Sequence, residues 1–358
     1  MYRKIMGFLE AWKESKHRKP LILQGARQVG KTYSILEFGR THYENVAYFN
    51  FETNPKLNET FEENISPDYL IPILSHIAGQ TIVKEKTLMV FDEVQLCERA
   101  LTSLKYFCEN APDYHIIVAG SLLGVAVNRA KFSFPVGKVD MKTLYPMDME
   151  EFMLALGEDD LVKQIKKCFQ TDTPLPSALH DAAMQLYRQY LVVGGMPECV
   201  MQFAGTKDYI LVRHTQDTIL ASYLNDMSKY NTLNEIKKTR LAYDNITVQL
   251  SKKNTRFQYK LIKKGGRASE FENAIEWLCL SGIVSQVYKV EQIKKPLENY
   301  RDIDAFKIYV SDLGLLCAKK DLAANDILYM VEEINDFKGG MTENYVCLLY
   351  TSPSPRDS

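Results

Sequence analysis

The stretch "LILQGARQVGKTYSILEFG", Leu21 to Gly39, constrains the fold of this chain more than any other. A short apolar run, Leu21 to Leu23, leads into Gly25-x-x-x-x-Gly30-Lys31-Thr32, and an amphipathic stretch marked by Tyr33, Leu36 and Phe38 follows. The order is strand, glycine loop, helix, the context a P-loop requires. Each residue type answers a physical demand. Gly25 and Gly30 let the backbone N–H groups of the intervening Ala26, Arg27, Gln28 and Val29 curl around phosphate oxygens, and the helix N-terminus adds the positive end of its dipole. Lys31 offers a point charge to the β- and γ-phosphates, and Thr32 offers a hydroxyl to Mg²⁺. A chance Gly-rich turn is the competing reading, and the correct flanking elements disfavour it.

A second strand carries carboxylates. In "KEKTLMVFDEVQ" the run Leu88 to Phe91 is continuously apolar, as expected of a buried parallel strand, and it ends in Asp92-Glu93. The ligand crevice of a parallel sheet lies at the C-terminal ends of its strands. Asp92 is therefore expected to hold Mg²⁺ through water, and Glu93 to polarise the attacking water. The plain alternative is a solvated acidic pair. A third strand, "YHIIVAGS", ends in Ser121, whose hydroxyl either meets the γ-phosphate or attacking water or caps the next helix. "YENVAYFNFE" and "GKVDMKTLYP" supply two more strands. Strands alternating with helices predict an α/β fold with a parallel sheet. Asp148, three residues before Glu151, has the capping-box spacing that starts a new helix.

Together "PLILQGARQVGKT", "FDEVQ", "AGSLLG", "FPVGKV" and "LYPMDMEEF" resemble the nucleotide-binding domain of a large prokaryotic group of AAA+ superfamily ATPases. The resemblance implies a P-loop NTPase sheet of order 5-1-4-3-2, with the strand leading to Ser121 between the P-loop strand and the Asp92 strand. It also implies a C-terminal domain of unknown function after the ATPase. Ring-forming relatives insert an arginine into a neighbour's site. Arg129 and Lys138 are the basic candidates here, each better explained as a surface cation, and the oligomeric state stays open.

The second half reads as helices from about 156 to 235, with a turn at Gly194, Gly195 and Pro197 and a long amphipathic helix in "YILVRHTQDTILASYLNDMSKY". From Ile236 to Ala268 there are ten Lys and Arg residues (237, 238, 240, 252, 253, 256, 260, 263, 264 and 267) against one acid, Asp244. "IKKTRLAYDNITVQLSKKN" predicts a helix pair, and "GGRASEFENAIEWLCLSGIV" a third helix packing Phe271, Ala274, Ile275 and Leu278. "IVSQVYKVEQ" follows as a strand. This order resembles a winged helix, and the family resemblance agrees. The basic stretch 237–267 is then a candidate for DNA contact through phosphate, with a solvated face or a protein-docking surface as the alternative. "FKIYVSDLGLLCA" and "GGMTENYV" resemble the approach to a restriction-endonuclease-like core.

The expected divisions are an N-terminal helix over 1–17, the ATPase domain over 18–155, a helical region over 156–235, the basic winged-helix-like module over 236–312, and the start of a C-terminal domain over 313–346. Residues 347–357 match, without a gap, the in-frame translation of a common sequencing-adapter end. The expectation is that 347–358 are foreign and that the natural chain continues past Val346. The net charge of −1 hides the local basic patch, and seven scattered cysteines without a Cys-x-x-Cys suit a reducing cytoplasm. No apolar run is long enough to span a membrane. The function expected is Mg²⁺-dependent ATP hydrolysis driving an attached DNA- or protein-binding module. A slow-turnover nucleotide switch acting as a binding protein is the alternative. A small-molecule kinase is disfavoured because Glu93 suits water activation and no acceptor lid is recognisable.

Overall fold

The computed structural model describes residues 1–120, 135, 137–229, 232–252 and 256–351. Ser121 and Arg129 lie outside the described residues, as do Lys253 and residues 352–358 of the adapter-like tail. Two compact units emerge, Arg3–Tyr145 and Pro146–Ser358, the latter together with Met1–Tyr2.

In the first unit, β1 (Leu21–Gln24), β2 (Asn45–Asn50), β3 (Thr87–Asp92), β4 (His115–Ala119) and β5 (Asp140–Thr143) form one parallel sheet in the order β2-β3-β4-β1-β5. Read from the other edge, this is the expected 5-1-4-3-2 order. β3 and β4 are buried at every position, as their continuous apolar runs require. Among the described residues its helices are α1 (Ile5–Glu14), α2 (Lys31–His42), α3 (Lys56–Glu63), α4 (Pro67–Ala78) and α5 (Glu98–Asn110). α1 is the helix expected within 1–17, and it buries Ile5, Leu9 and Trp12. α2 differs in phase from the expected stripe. It buries Ile35 and Phe38, whereas Tyr33 is 51% exposed, because the inward face follows i and i+3 from Ile35. A cluster of Phe49, Phe51, Phe61 and Phe91 meets in tilted and edge-to-face pairs beneath β3, the strand that will carry the acidic residues.

The second unit opens on the predicted capping box. Glu151 N donates to Asp148 Oδ1 at 2.9 Å, Asp148 N donates to Glu151 Oε2 at 3.2 Å, and a helix runs over Met149–Ala155. Helices Asp159–Gln170, Ser177–Val193, Pro197–Thr206 and Tyr209–Lys229 follow. The break expected at Gly194, Gly195 and Pro197 falls at Gly194–Met196, and Pro197 itself opens the next helix.

The expected helix pair at Ile236 is instead one helix, Leu233–Ser251, with only the four-residue helix Tyr259–Ile262 after it. The cause lies just upstream, where Thr232 and Glu235 form a capping box, while no Gly or Pro interrupts the chain until Ser251. Helix Ala268–Leu280 buries Phe271, Ala274, Ile275, Trp277 and Leu278. An antiparallel ribbon of β6 (Val284–Val290) and β7 (Arg301–Val310) completes this part, before helices Leu313–Lys319, Ala324–Leu328 and Asn335–Thr351. All seven cysteines are free, and among the described residues no helix is long and apolar enough to cross a membrane.

Candidate nucleotide site

The site forms where β1 and β3 end. Leaving β1, the chain turns at Gly25 against the end of the β5 segment. A Cβ on Gly25 would sit 2.2 Å from the Leu144 carbonyl oxygen, so only glycine allows this approach. Ala26, Arg27, Gln28 and Val29 carry the loop to Gly30, the N-cap of α2, with Gln28 and Gly30 both in the left-handed region. Alternation of this kind points successive N–H groups toward one concavity.

Lys31 is buried, and its Nζ donates to the carbonyl oxygens of Gly25 and Ala26, each at 2.9 Å. Those two bonds hold the ammonium over the loop. Thr32 Oγ1 donates to Asp92 Oδ2 at 2.8 Å. Thus residues 60 positions apart, predicted separately from loop and strand, meet as a hydroxyl–carboxylate pair.

Asp92 is 5% exposed, and its Oδ1 accepts the Glu93 N–H at 3.0 Å. Glu93 sits in left-handed backbone, φ 52°, an unfavourable conformation for a residue with a Cβ and one that concentrates at functional sites. Its Oε2 accepts a hydrogen bond from Gln95 Nε2.

Tyr48 and Asn50 belong to this site and were not foreseen. Tyr48 OH donates to Asp92 Oδ2 at 2.8 Å, and Asn50 Nδ2 donates to Tyr48 OH at 3.2 Å. Burial, with Asp92 adding to it, pushes the Tyr48 hydroxyl up to about 12, so it stays protonated and acts toward the carboxylate as a donor. A signal was present. In "VAYFNFE", Ala47, Phe49 and Phe51 turn to the core while Tyr48 and Asn50 fall on the opposite face. The parallel register then sets Asn50 beside Asp92.

The donor chemistry fits Mg²⁺ with a nucleoside triphosphate. A hydroxyl and a carboxylate are hard oxygen ligands, and Mg²⁺ is ordinarily held by one or two such groups plus phosphates and water rather than by a protein cage. Accordingly, among the described residues no cluster of three or more His, Cys, Asp or Glu could hold a metal alone. Lys138, a basic candidate, pairs with Glu109 at 2.9 Å as a surface cation.

In the second unit, Lys237, Arg240, Lys252, Arg256, Lys260, Lys263, Lys264 and Arg267 are exposed. Lys263 pairs with Glu270 at 3.2 Å, and Arg240 bonds Ser228 Oγ at 3.0 Å. Nearby, Phe257 N donates to the Phe306 carbonyl at 2.7 Å, and the two rings stack at 5.6 Å.

Comparison with known proteins agrees with this geometry. Residues 17–153 match the family described as an AAA domain, and residues 184–326 match a domain of unknown function (DUF8612). No curated protein matches the chain. Among solved structures, a Walker-type ATPase of Pyrococcus abyssi is similar with a TM-score of 0.55 at 13% identity, over 89% of this chain and 95% of that one. The Aeropyrum pernix ORC2 protein gives 0.45 at 12% identity, over 98% and 96%. At such identity the first likeness is one of fold. Most of the first unit is thus similar to an AAA domain, and its parallel sheet is consistent with a P-loop NTPase fold.

Proposed function

We propose that the chain is an Mg²⁺-dependent ATPase whose hydrolysis moves or releases an attached DNA- or protein-binding module. The observation that carries the reading is the convergence of Lys31, Thr32, Asp92 and Glu93 at one loop mouth. Lys31 and the loop N–H groups would bind the phosphates, while Thr32 and Asp92 would hold Mg²⁺, directly and through water respectively. A metal held there would supply positive charge against the negative charge that develops on the phosphate. Glu93 takes the proton of the attacking water. Ser121, just beyond β4, is assigned the γ-phosphate or the attacking water.

Lys31→Ala is expected to lose nucleotide affinity by about 100-fold, whereas Glu93→Gln keeps ATP bound and stops turnover. Titration with a fluorescent ATP analogue and steady-state phosphate release check the pair. Equal loss of binding in both variants would remove Glu93 from its role.

The slow-switch alternative has one observation in its favour, the Gln95 amide engaging Glu93. Gln95→Ala separates the readings. Faster turnover in that variant supports a restrained switch, and unchanged or slower turnover supports the plain ATPase.

For the second unit, three helices followed by an antiparallel ribbon support a winged-helix reading, and the exposed cations support phosphate contact. Affinity for duplex DNA should fall steeply with salt, each lost contact reducing the log–log slope by about one. Replacing Lys252, Lys253, Lys263 and Lys264 with Gln should weaken binding equally across sequences and leave ATP affinity unchanged. Parental affinity in that variant at low salt would make the patch a protein-facing surface.

A further inference from the structure

Arg3 opens the first unit, and its side chain is buried, with the residue 4% exposed. Nη1 donates to the carbonyl oxygen of Val29 at 2.9 Å, and Nη2 to that of Tyr145 at 2.7 Å. Val29 is the loop residue immediately before Gly30 and Lys31, and Tyr145 is the last residue of the unit. The other shoulder of the loop is tied to the same place. Leu144 N donates to the Gln24 carbonyl at 2.8 Å, and Gly25 lies against the Leu144 oxygen. The phosphate loop therefore leans on Leu144–Tyr145 at both its entrance and its exit.

The chain crosses between the two units twice, between residues 2 and 3 and between residues 145 and 146. Arg3 follows the first crossing directly and grips the residue before the second. Past that second crossing, within the other unit, the backbone is fixed at once. Met147 N donates to the Gly195 carbonyl at 2.7 Å, and the Met147 carbonyl accepts Tyr190 OH at 2.8 Å. Gly195 N in turn donates to the buried Asp312 Oδ2 at 2.6 Å. In the chain one residue, Pro146, separates Tyr145 from Met147.

A guanidinium suits such a tie because its planar fork presents donors at fixed separation, which an ammonium cannot do. Closely packed surroundings transmit small displacements rather than absorbing them.

We propose that Arg3 is a positioning residue that couples the phosphate loop to both chain crossings, so that nucleotide occupancy changes the backbone at Leu144–Met147. The inference rests on the nucleotide reading above and adds its route of communication.

Hydrogen exchange on the full chain tests it, with and without saturating Mg²⁺ and a non-hydrolysable ATP analogue, saturation being confirmed by fluorescence titration. In the parent, the peptide over 143–150 should exchange about tenfold more slowly with nucleotide. In Arg3→Gln at saturation that difference should shrink to within about twofold, while protection of the loop peptide over 25–36 persists. A merely structural role for Arg3 would alter both peptides without regard to nucleotide. Arg3→Lys keeps the charge but not the fork, and should behave like Arg3→Gln. It also serves if the Gln variant does not fold. Undiminished nucleotide-dependent protection at 143–150 in either variant overturns the proposal, as does its absence in a parent that binds nucleotide. A parent that binds no nucleotide removes the ATPase reading itself, and this inference falls with it.

Discussion

Each unit places a buried aspartate at the end of an apolar strand, beside a glycine turn, yet the two are built for different ends. Asp92 closes β3 and shares its Oδ2 between two hydroxyls, those of Thr32 and Tyr48. Asp312 follows β7, is 2% exposed, and accepts backbone N–H groups, Gly195 at 2.6 Å and Leu315 at 2.8 Å. A hydroxyl can rotate and turn a lone pair toward a metal, whereas an amide can only donate. Asp92 is therefore equipped to exchange partners and Asp312 to keep them. One arrangement makes a site and the other a latch.

The largest effects should come from the glycines beside the two carboxylates. A Cβ on Gly195 would lie 2.0 Å from the Met147 carbonyl oxygen, a backbone clash that no side chain can yield to. Gly195→Ala should destabilise the second unit by more than about 3 kcal/mol, the scale of severe core disruption, and leave ATP affinity within about twofold. Gly25→Ala, with 2.2 Å to the Leu144 oxygen, should do the reverse, abolishing ATP binding while the second unit melts normally. Urea denaturation followed by exchange in each unit, with nucleotide titration, measures both. Loss of ATP binding in Gly195→Ala would break the distinction between site and latch.

The contrast also marks what the sequence could convey. "LMVFDE" and "KIYVSDLG" look alike, an apolar run delivering an aspartate, and only the first has a glycine–lysine loop to give it a role. Lys31, Thr32, Asp92 and Glu93 were legible because phosphate chemistry demands them at fixed places on a loop and at a strand end. Tyr48 and Arg3 were not, since each reaches its target through tertiary register, 44 residues from Asp92 and 26 from Val29. The helix over Leu233–Ser251 escaped because its capping box lay outside the basic window that drew attention. Tyr33 failed by phase alone, as its neighbours Ile35 and Phe38 fix the inward face of α2.

The two units should respond to pH with opposite signs. In the first, burial lowers His115 from 6.5 to about 4, helped by Arg18 and Lys13, while its Nδ1 meets Tyr43 OH at 2.7 Å. The fold holds the neutral ring, so as pH falls from 6.5 toward 4 the unfolded chain gains a proton the folded one refuses. Stability of this unit is lost on acidification. In the second, burial raises Asp312 from 3.8 to about 6 against the pull of its amide donors. Here the folded state keeps its proton longer, so stability is fully present below 3.8 and is lost as pH rises through 6, by up to about 3 kcal/mol. Exchange protection of β4 should rise between pH 4.5 and 6.5, while that of 313–317 should fall. His115→Gln and Asp312→Asn should each flatten only its own unit's slope. Slopes of one sign in both units would refute the assignment.

The smallest effect tests the exchangeable character of Asp92 itself. Tyr48→Phe removes one hydroxyl and leaves the ring on β2, so the fold should keep its stability to within about 0.5 kcal/mol. Without that donor, Asp92 Oδ2 retains Thr32 and gains freedom to turn. The Mg²⁺ concentration giving half-maximal nucleotide binding should then rise about fivefold, the modest net worth of one hydrogen bond. Nucleotide binding measured in a chelator should not change, because Tyr48 touches the carboxylate and not the loop. Asn50→Ala should move the Mg²⁺ requirement in the same direction by less, since Asn50 Nδ2 donates to the Tyr48 hydroxyl rather than to Asp92, while its Oδ1 accepts from Glu52 N and Thr53 N. An Mg²⁺ requirement unaltered in Tyr48→Phe would mean that Asp92 is as rigidly held as Asp312. The difference between the two carboxylates would then lie in the loop that faces them rather than in the partners they keep.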